Sequence, residues 1–397
     1  MQPNHAIESK EDLLNHFGSS QKLEIRNSLQ MEDLLKMNVP PEVWEDASNR
    51  NLLSFSKEFV LQTKKITFCY RKIEYIYLIS FLVNLTELDL QQNKISDISS
   101  ISKLKNLKKL DLNYNSIEDI SALQSHTDLI YLDLSYNKLT SYTLALPNLV
   151  DLSLSYNKLQ DTSGLQHSPK LLILYLSETE TADLCIIPPQ LFGLKELYIS
   201  PNSITELSYL SNFVDLQILD LNENQQLQTI GPLQFCTQLT ELNISETRVS
   251  DIWPLRFLKN LTRLEMPQTQ VVDLHPLQHL NKLETIYAFI SCIIDVSPLS
   301  KLTLLDSLEF KIQQNYQCRN PQAPLEFSKI QLRRSRSSDN RRAHVLQQNT
   351  QSSQFPQVVQ KNIKREQSLK DQRVDDSPER INQVKNKRAD PGYEHEN

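Results

Sequence analysis

Acidic and aromatic side chains recur in this chain at nearly regular intervals. Asp89, Asp111 and Asp133 are spaced 22 residues apart, and Tyr114 and Tyr136 share that spacing. Carboxylates repeated at one spacing could attract basic groups, and tyrosine rings are common anchors in protein interfaces. These residue types therefore indicate recognition of another protein rather than catalysis.

Side chains that could serve as catalysts or metal ligands lack the partners that such chemistry requires. His275 and His279 lie four residues apart, a spacing that could share a metal on a helix, but no cysteine or carboxylate cluster joins them. Cys292 follows Ser291, and no histidine partner for a nucleophile there can be identified. Nucleotide-binding glycine loops and the common hydrolase and zinc motifs are missing from the sequence. We expect a non-enzymatic protein with no cofactor and no small-molecule substrate.

Charge is distributed unevenly along the 397 residues. The formal net charge is −6, but residues 63–312 carry 20 basic and 28 acidic side chains, whereas residues 313–397 carry 16 basic and 10 acidic ones. An acidic body opposes phosphate backbones, so nucleic acid is not an expected partner. The basic run from Arg333 to Arg336 fits a solvated linker. The alternative is a nuclear-localisation, acidic-partner or phosphorylation element, and Ser377 is a second candidate kinase site.

The amino terminus and the cysteines bear on the cellular compartment. Residues 1–12 are polar and contain no apolar segment, so we expect no secretory signal. The most apolar run, residues 75–83, is too short to span a bilayer. The five cysteines are widely spaced and odd in number, which fits reduced thiols better than a disulfide framework. We expect a cytoplasmic protein, with the nucleus as the alternative through the basic tail.

A repeat of about 22 residues supplies the elements that must position these side chains. Leucine recurs at intervals of 20 to 23 residues from Leu85 to Leu305. The frame is Leu-x-x-Leu-x-Leu-x-x-Asn-x-Ile-x-Asp-Ile-x-x-Leu, and residues 107–123 fill it almost completely. Leu-x-Leu has the period of two that places both leucines on one side of a short strand. The later spacing of three predicts 3₁₀ or irregular turns.

Each unit has one apolar side, which it can bury only against neighbouring units. We therefore predict an α/β solenoid of about eleven units in residues 63–312, with a parallel concave β-sheet on one side and short turns on the convex side. A polar residue after each strand is expected to bond backbone groups that the turning chain leaves unpaired. It is Asn93, Asn115, Asn137, Asn157, Asn202 or Asn224 in six units, and Thr179, Thr247, Thr269 or Ser291 in four others.

Two motifs carry a resemblance to a known family. Residues 115–123 read Asn-x-Ile-x-Asp-Ile-x-x-Leu, and residues 251–255 read Asp-Ile-x-Pro-Leu. The chain resembles the leucine-rich-repeat proteins of the 22-residue class, particularly bacterial internalins and the leucine-rich regulatory subunit of type-1 protein phosphatase. The resemblance covers about two thirds of the chain and implies the solenoid fold. Internalin-like proteins imply secretion and surface adhesion, whereas the phosphatase subunit implies a signalling role.

One short segment mimics the basic-hydrophobic-x-aromatic peptide that docks on type-1 phosphatase. It is Lys65-Ile66-Thr67-Phe68. Ile66 and Phe68 occupy the two inward positions of a predicted strand, and a side chain in the core cannot also dock elsewhere. We expect both side chains to belong to the core.

The segments outside the repeats are expected to cap the solenoid or to remain unfolded. Residues 1–19 are predicted to be a flexible amino terminus, and residues 20–62 an amino-terminal cap that is partly helical, with a helix from Met31 to Met37. Residues 313–332 are a possible carboxy-terminal cap. Residues 333–397 are predicted to be a disordered basic tail, because few large apolar side chains offset the chain entropy.

The residue between the two inward leucines points to the concave face, where we predict that a partner protein binds. Tyrosines would act as anchors, and the acids suit a basic or mixed partner segment. The predicted contact residues are Asp89, Asp111, Tyr114, Tyr131, Asp133, Tyr136, Tyr156, Tyr175, Tyr198 and Asp220. In the alternative view the tyrosines only pack and the acids only keep the sheet hydrated. A phosphatase regulatory subunit would use the same fold and face. We expect a monomer that does not bind membranes.

Overall fold

The structure, a computed structural model, describes a large part of the chain. The described residues are 23–25, 28–36, 39, 41–49, 53–180, 186–289, 293 and 295–309. The predicted segments 1–19, 313–332 and 333–397 lie outside them, as do Ser291 and Cys292. All ten predicted contact residues lie within them.

Before the repeats, the described residues form two short strands and three helices. They are β1 (Leu23–Ile25), α1 (Ser28–Lys36), α2 (Pro41–Asn49), β2 (Leu53–Phe55) and α3 (Lys57–Gln62). Strands β1 and β2 pair in parallel. Helix α1 includes most of the helix predicted from Met31 to Met37, and it ends at Lys36. The Ser56 hydroxyl caps α3 by accepting a 3.1 Å hydrogen bond from the Phe59 backbone N–H.

A single parallel sheet runs through the repeats, and within the described residues it has twelve strands. The strands are β3 (Lys65–Thr67), β4 (Glu87–Asp89), β5 (Lys109–Asp111), β6 (Tyr131–Asp133), β7 (Asp151–Ser153), β8 (Ile173–Tyr175), β9 (Glu196–Tyr198), β10 (Ile218–Asp220), β11 (Glu241–Asn243), β12 (Arg263–Glu265), β13 (Thr285–Tyr287) and β14 (Ser307–Glu309). Each strand pairs with the next one along the chain. The predicted α/β solenoid is confirmed, with one strand more than the eleven units expected.

Short 3₁₀ turns form the side opposite the sheet in most of the described units. They lie at Tyr77–Phe81, Ser99–Lys103, Ser121–Leu123, Ser163–His167, Ser208–Asn212, Gly231–Phe235, Trp253–Phe257, His275–Leu277 and Ser297–Lys301. The turn at Ser99 shows the bonding that the spacing of three predicts. The Ile101 N–H donates to the Ile98 carbonyl at 2.9 Å, and the Leu104 N–H donates to the Ile101 carbonyl at 2.8 Å.

One apolar core fills the space between the sheet and the turns. Leu110 and Leu112 are both fully buried and lie on the same side of their strand, as the period of two requires. Ile66 and Phe68 are each 3% exposed and belong to this core, so their predicted position is confirmed. In the described part of the chain, no helix has both the length and the apolarity that crossing a bilayer would need.

Candidate functional site

The side of the sheet opposite the leucine core, which we call the sheet face, carries two rows of side chains. The first row consists of the first residue of each strand, from Lys65 to Ser307. The second row consists of the third residue of each strand and runs from Thr67 to Tyr287 among the side chains that are described. The strand register places equivalent residues of neighbouring units directly opposite each other, with strands about 4.8 Å apart.

Acids of the second row lie side by side at one end of the sheet face. Asp89 is opposite Asp111, and Asp111 is opposite Asp133. Like charges in this arrangement repel one another. Asp133 is compensated locally, because its Oδ1 accepts hydrogen bonds from the backbone N–H and the hydroxyl of Ser135.

Three tyrosines stack at the turns that follow neighbouring strands. Tyr114, Tyr136 and Tyr156 have φ angles of 58°, 54° and 57°. This left-handed backbone costs a non-glycine residue on the order of 1 kcal/mol or more, so the surrounding turn must hold it in place. The ring centroids of Tyr114 and Tyr136 lie 5.3 Å apart, and those of Tyr136 and Tyr156 lie 3.9 Å apart. All three side chains are half-buried, so part of the stack is open to a partner.

A second aromatic pair lies within the second row itself. The rings of Tyr175 and Tyr198 are 4.5 Å apart and nearly parallel, at 6°. Both side chains are buried, with 7% and 4% of their surface exposed. The Tyr198 hydroxyl donates a 2.9 Å hydrogen bond to Glu196, whereas the Tyr175 hydroxyl has no hydrogen-bond partner among the described residues.

Burial changes the acidity of the carboxyl groups in the middle of the sheet face. It raises the pKa of Asp151 to about 7, and the charges of Asp133 and Glu196 add to the effect. Burial also raises the pKa of Asp220 to about 7, opposed by a hydrogen bond from the Asn222 backbone N–H. Ionising these two carboxyl groups therefore costs more free energy than ionising a carboxyl group in water.

Towards β12, one ion pair neutralises part of this charge. Arg263 donates to Glu265 through Nε at 2.9 Å and also through Nη2, and both side chains are largely buried. Burial still raises the pKa of Glu265, although the charge of Arg263 opposes this increase. Burial raises the pKa of Glu241 on the neighbouring strand as well. The acidic character of the sheet face therefore extends from β4 to β12.

The structure separates the ten predicted contact residues into two groups. Six are half-buried on the sheet face or at its edge: Asp89, Asp111, Tyr114, Tyr131, Tyr136 and Tyr156. Four are buried: Asp133, Tyr175, Tyr198 and Asp220. Asp133, although predicted to contact a partner, is only 6% exposed. Asp133 lies on the sheet face and outside the leucine core, but hydrogen bonds to Ser135 and neighbouring side chains at the close strand spacing cover it.

Sequence reasoning missed the acids of the first row, especially Asp151, Glu196 and Glu241. Each stands two residues before a second-row residue, so the same period of two places it on the sheet face. That spacing was the available signal. It could have found these residues without the structure.

The two histidines considered as metal ligands lie on the turn side of the solenoid. His275 Nδ1 is 2.6 Å from the Asp273 carboxylate, and His279 is exposed. Across the ranges that the structure describes, no three potential ligands come close enough to hold a metal ion.

Comparisons with known proteins agree with this geometry. The family model described as Leucine Rich repeats (2 copies) matches residues 83–125. The crystal structure of an internalin, InlF of Listeria monocytogenes, is 31% identical, covers 64% of this chain and 75% of its own chain, and has a TM-score of 0.61. No match is found among the curated proteins.

Two more distant structures show the same fold. The functional domain of InlJ from Listeria monocytogenes is 24% identical, covers 64% of this chain and 54% of its own, and has a TM-score of 0.55. A leucine-rich-repeat protein from Leptospira interrogans is 22% identical, covers 73% of this chain and 83% of its own, and has a TM-score of 0.50. At these identities the likeness concerns the fold alone.

Proposed function

Because this chain belongs to the leucine-rich-repeat proteins, we propose that it is a non-catalytic scaffold that binds a partner protein on its sheet face. Proteins with this fold are commonly interaction scaffolds, whose broad sheet surfaces suit extended partners. The fold by itself does not specify the partner, so the proposal depends on the chemistry of the sheet face.

The half-buried tyrosine stack is the observation that carries the proposal. Tyr114, Tyr136 and Tyr156 are held in a left-handed backbone that costs free energy, and each ring stacks on its neighbour. Rigid aromatic side chains of this kind lose little conformational entropy on binding and are frequent hot spots in interfaces. The acids of the adjacent rows favour a basic or mixed partner segment.

The compartment that we propose is the cytoplasm, with the nucleus as the alternative. Among the described residues, Cys69 and Cys236 are free thiols, half-buried and buried respectively. Burial raises the pKa of both thiols to about 12, which keeps them protonated and unreactive. Unreactive reduced thiols are compatible with a reducing compartment.

An affinity experiment with a matched control tests the proposed surface. The double variant Tyr136→Asn/Tyr156→Asn removes two rings, while asparagine tolerates the left-handed backbone. We expect it to lose partners that the wild-type protein retains, because two anchors of about 1 to 2 kcal/mol each correspond to a weakening of tenfold or more. Captured proteins would be compared by quantitative mass spectrometry.

The control is Tyr209→Asn, which removes an exposed ring from the turn side of the solenoid. The control should retain the wild-type partners, and circular dichroism should show that all three proteins are folded. Identical sets of captured proteins for all three would refute binding on the sheet face. A phosphatase catalytic subunit among the partners lost by the double variant would instead identify the chain as a phosphatase regulatory subunit.

A further inference from the structure

Asp151 lies at the centre of a group of acids on the sheet face. It begins β7, opposite Tyr131 on β6 and Ile173 on β8. Two further carboxylates lie on either side of it. Asp133 is the third residue of β6, and Glu196 is the first residue of β9, where it lies opposite Ile173. The strand spacing of about 4.8 Å keeps the three groups within a distance at which their charges interact.

The ion pairs in the described part of the sheet face involve acids other than Asp151 and Glu196. Asp151 and Glu196 form no ion pair within the described residues. Lys65, at the end of the sheet, is bound to Glu87 at 2.8 Å. Arg263 is bound to Glu265. Lys109, exposed in the first row of β5, lies opposite Glu87. Unlike Glu87 and Glu265, Asp151 and Glu196 are therefore left without an ion pair among the described residues.

The Tyr175 hydroxyl is directed into this acidic group without a hydrogen-bond partner. Its side chain is 7% exposed, and its oxygen bonds to no described residue. Burial raises the pKa of Tyr175, and the charges of Asp151, Glu196 and Asp133 raise it further, which places all three acids near the ring. A buried hydroxyl without a partner destabilises the protein, so a ligand that bonds to it would recover that loss.

The surroundings provide room and an aromatic surface. Ser153, between Asp133 and Tyr175 in the second row, has the smallest side chain of that row from Thr67 to Tyr287. Tyr175 in turn stacks on Tyr198 at 4.5 Å. A flat cation could thus meet carboxylates and an aromatic ring at the same place.

We propose that Asp151, Glu196, Asp133 and Tyr175 form a binding site for one arginine side chain of the partner protein. A guanidinium group fits better than an ammonium group, because its planar fork bonds carboxylates in pairs and stacks on aromatic rings. Its N–H groups can also donate to the Tyr175 oxygen. The site deepens the proposed function and rests on it, since it specifies an arginine-containing segment as the partner.

Binding at this site should depend on pH near neutrality. Asp151 has a pKa of about 7, and the groups that face it are Tyr131 and Asp133 on β6, Tyr175 on β8 and Glu196 on β9. A guanidinium group prefers the ionised carboxylate, so affinity should rise as the pH increases from 6 to 8. Binding should release a proton from Asp151 at the lower pH.

The test uses the full chain and a fluorescein-labelled hexa-arginine peptide, with a hexa-citrulline peptide of nearly the same shape as the uncharged comparison. Fluorescence anisotropy would be measured at pH 6 and pH 8 in about 0.15 M salt, which screens weak surface attraction. We expect Asp151→Asn to weaken arginine-peptide binding about tenfold at pH 8 and to reduce its pH dependence. The exposed control Asp215→Asn, with the same charge change, should stay within about twofold of wild type.

Tyr175→Phe provides a second test that does not alter charge. It should weaken binding of the arginine peptide several-fold. Its thermal midpoint should equal or exceed that of wild type, because the substitution removes a buried hydroxyl without a partner. Equal affinity of the Asp151→Asn and Asp215→Asn proteins, or equal binding of the citrulline peptide, would overturn the proposal. So would unchanged arginine-peptide binding by Tyr175→Phe.

The partner-capture experiment separates this proposal from the broader one. If Tyr136→Asn/Tyr156→Asn loses partners that Asp151→Asn retains, the sheet face binds proteins without this arginine site. If no variant changes the captured proteins, the broader proposal fails, and the peptide measurements still decide whether the site accepts a guanidinium group.

Discussion

At the scale of single residues, the asparagine that follows the strand in six units ties its unit to the one before it. Asn157 is 2% exposed, and its Oδ1 accepts a 2.9 Å hydrogen bond from the Leu139 N–H. Its Nδ2 donates to the carbonyls of Leu134 and Leu154 at 3.0 Å. One amide thus satisfies backbone groups of two successive units, as the sequence predicted. The Thr179 hydroxyl donates to the Leu176 carbonyl of its own turn at 2.9 Å and also lies 3.4 Å from Asn202 Oδ1.

Replacing Asn157 with alanine should destabilise the protein by about 3 kcal/mol, because it leaves several buried backbone groups unsatisfied. Urea denaturation would measure the change. Asn157→Thr should lose less, since a hydroxyl can keep the bond that Thr179 makes. The control is Asn106→Ala, which removes one exposed bond to the Val83 carbonyl and should cost under about 1 kcal/mol. Equal losses at the two asparagines would contradict this account.

At the scale of elements, the unit between β6 and β7 is shorter than the others and packs differently. Leu129 and Leu149 are only 20 residues apart. Ser141 there forms an isolated parallel bridge with Asp161 of the next unit. Gly164 makes this close approach possible, because a Cβ atom on it would lie 2.6 Å from the backbone nitrogen of Leu144.

Gly164→Ala should therefore destabilise the protein by about 1 to 3 kcal/mol, since backbone must move to admit the methyl group. Gly193→Ala is the matched control, because nothing lies within 4 Å of its Cβ position. It should be neutral or slightly stabilising, by up to about 1 kcal/mol, through the lower entropy of the unfolded chain. Differential scanning calorimetry of both variants would check this, and a Gly164→Ala protein as stable as wild type would show that the units can separate without cost.

At the scale of the whole solenoid, the helices before the repeats share the core of the first unit. Trp44 on α2 is 2% exposed and Met31 on α1 is fully buried, both within the common apolar core. The rings of Phe55 and Phe81 stack at 4.5 Å. We propose that these helices cap the amino-terminal end, because a solenoid otherwise exposes the apolar side of its first unit.

The two tryptophans of the chain offer a direct comparison. Trp44→Ala should cost about 3 to 5 kcal/mol. Trp253 is 49% exposed, and the Arg256 guanidinium lies over its ring at 4.8 Å. Trp253→Ala should therefore lower the stability by less than about 1 kcal/mol.

Hydrogen exchange should also locate the damage in the Trp44→Ala protein. In a solenoid each unit contacts only its neighbours, so protection should fall first in β3 to β5 and persist in β12 to β14. A uniform loss of protection along the sheet, or equal costs for the two tryptophans, would refute the capping role.

Much of the fold could be predicted because its determinants are local and repeated. Leu110 and Leu112 needed only the period of two to be assigned to one side of a strand, and the spacing of three predicted the 3₁₀ turns. The hydrogen bonds of Asn115 to the backbone could be predicted because the chain turns in the same way after the strand of each repeat. The direction of a side chain on the sheet face, such as that of Asp111, follows from the same rule.

The sequence by itself therefore determined the solenoid, its sheet and which side chains leave the core. Tertiary structure alone decided which of them remain accessible, because accessibility depends on the size and tilt of side chains from neighbouring units. Asp133 is covered while Asp111, one strand away, is half-buried. Tyr175 and Tyr198 bury each other, and the Tyr175 hydroxyl lies near the carboxylates of Asp151 and Glu196, which belong to separate strands. No period in the sequence encodes that meeting, since it arises only when different units stand side by side.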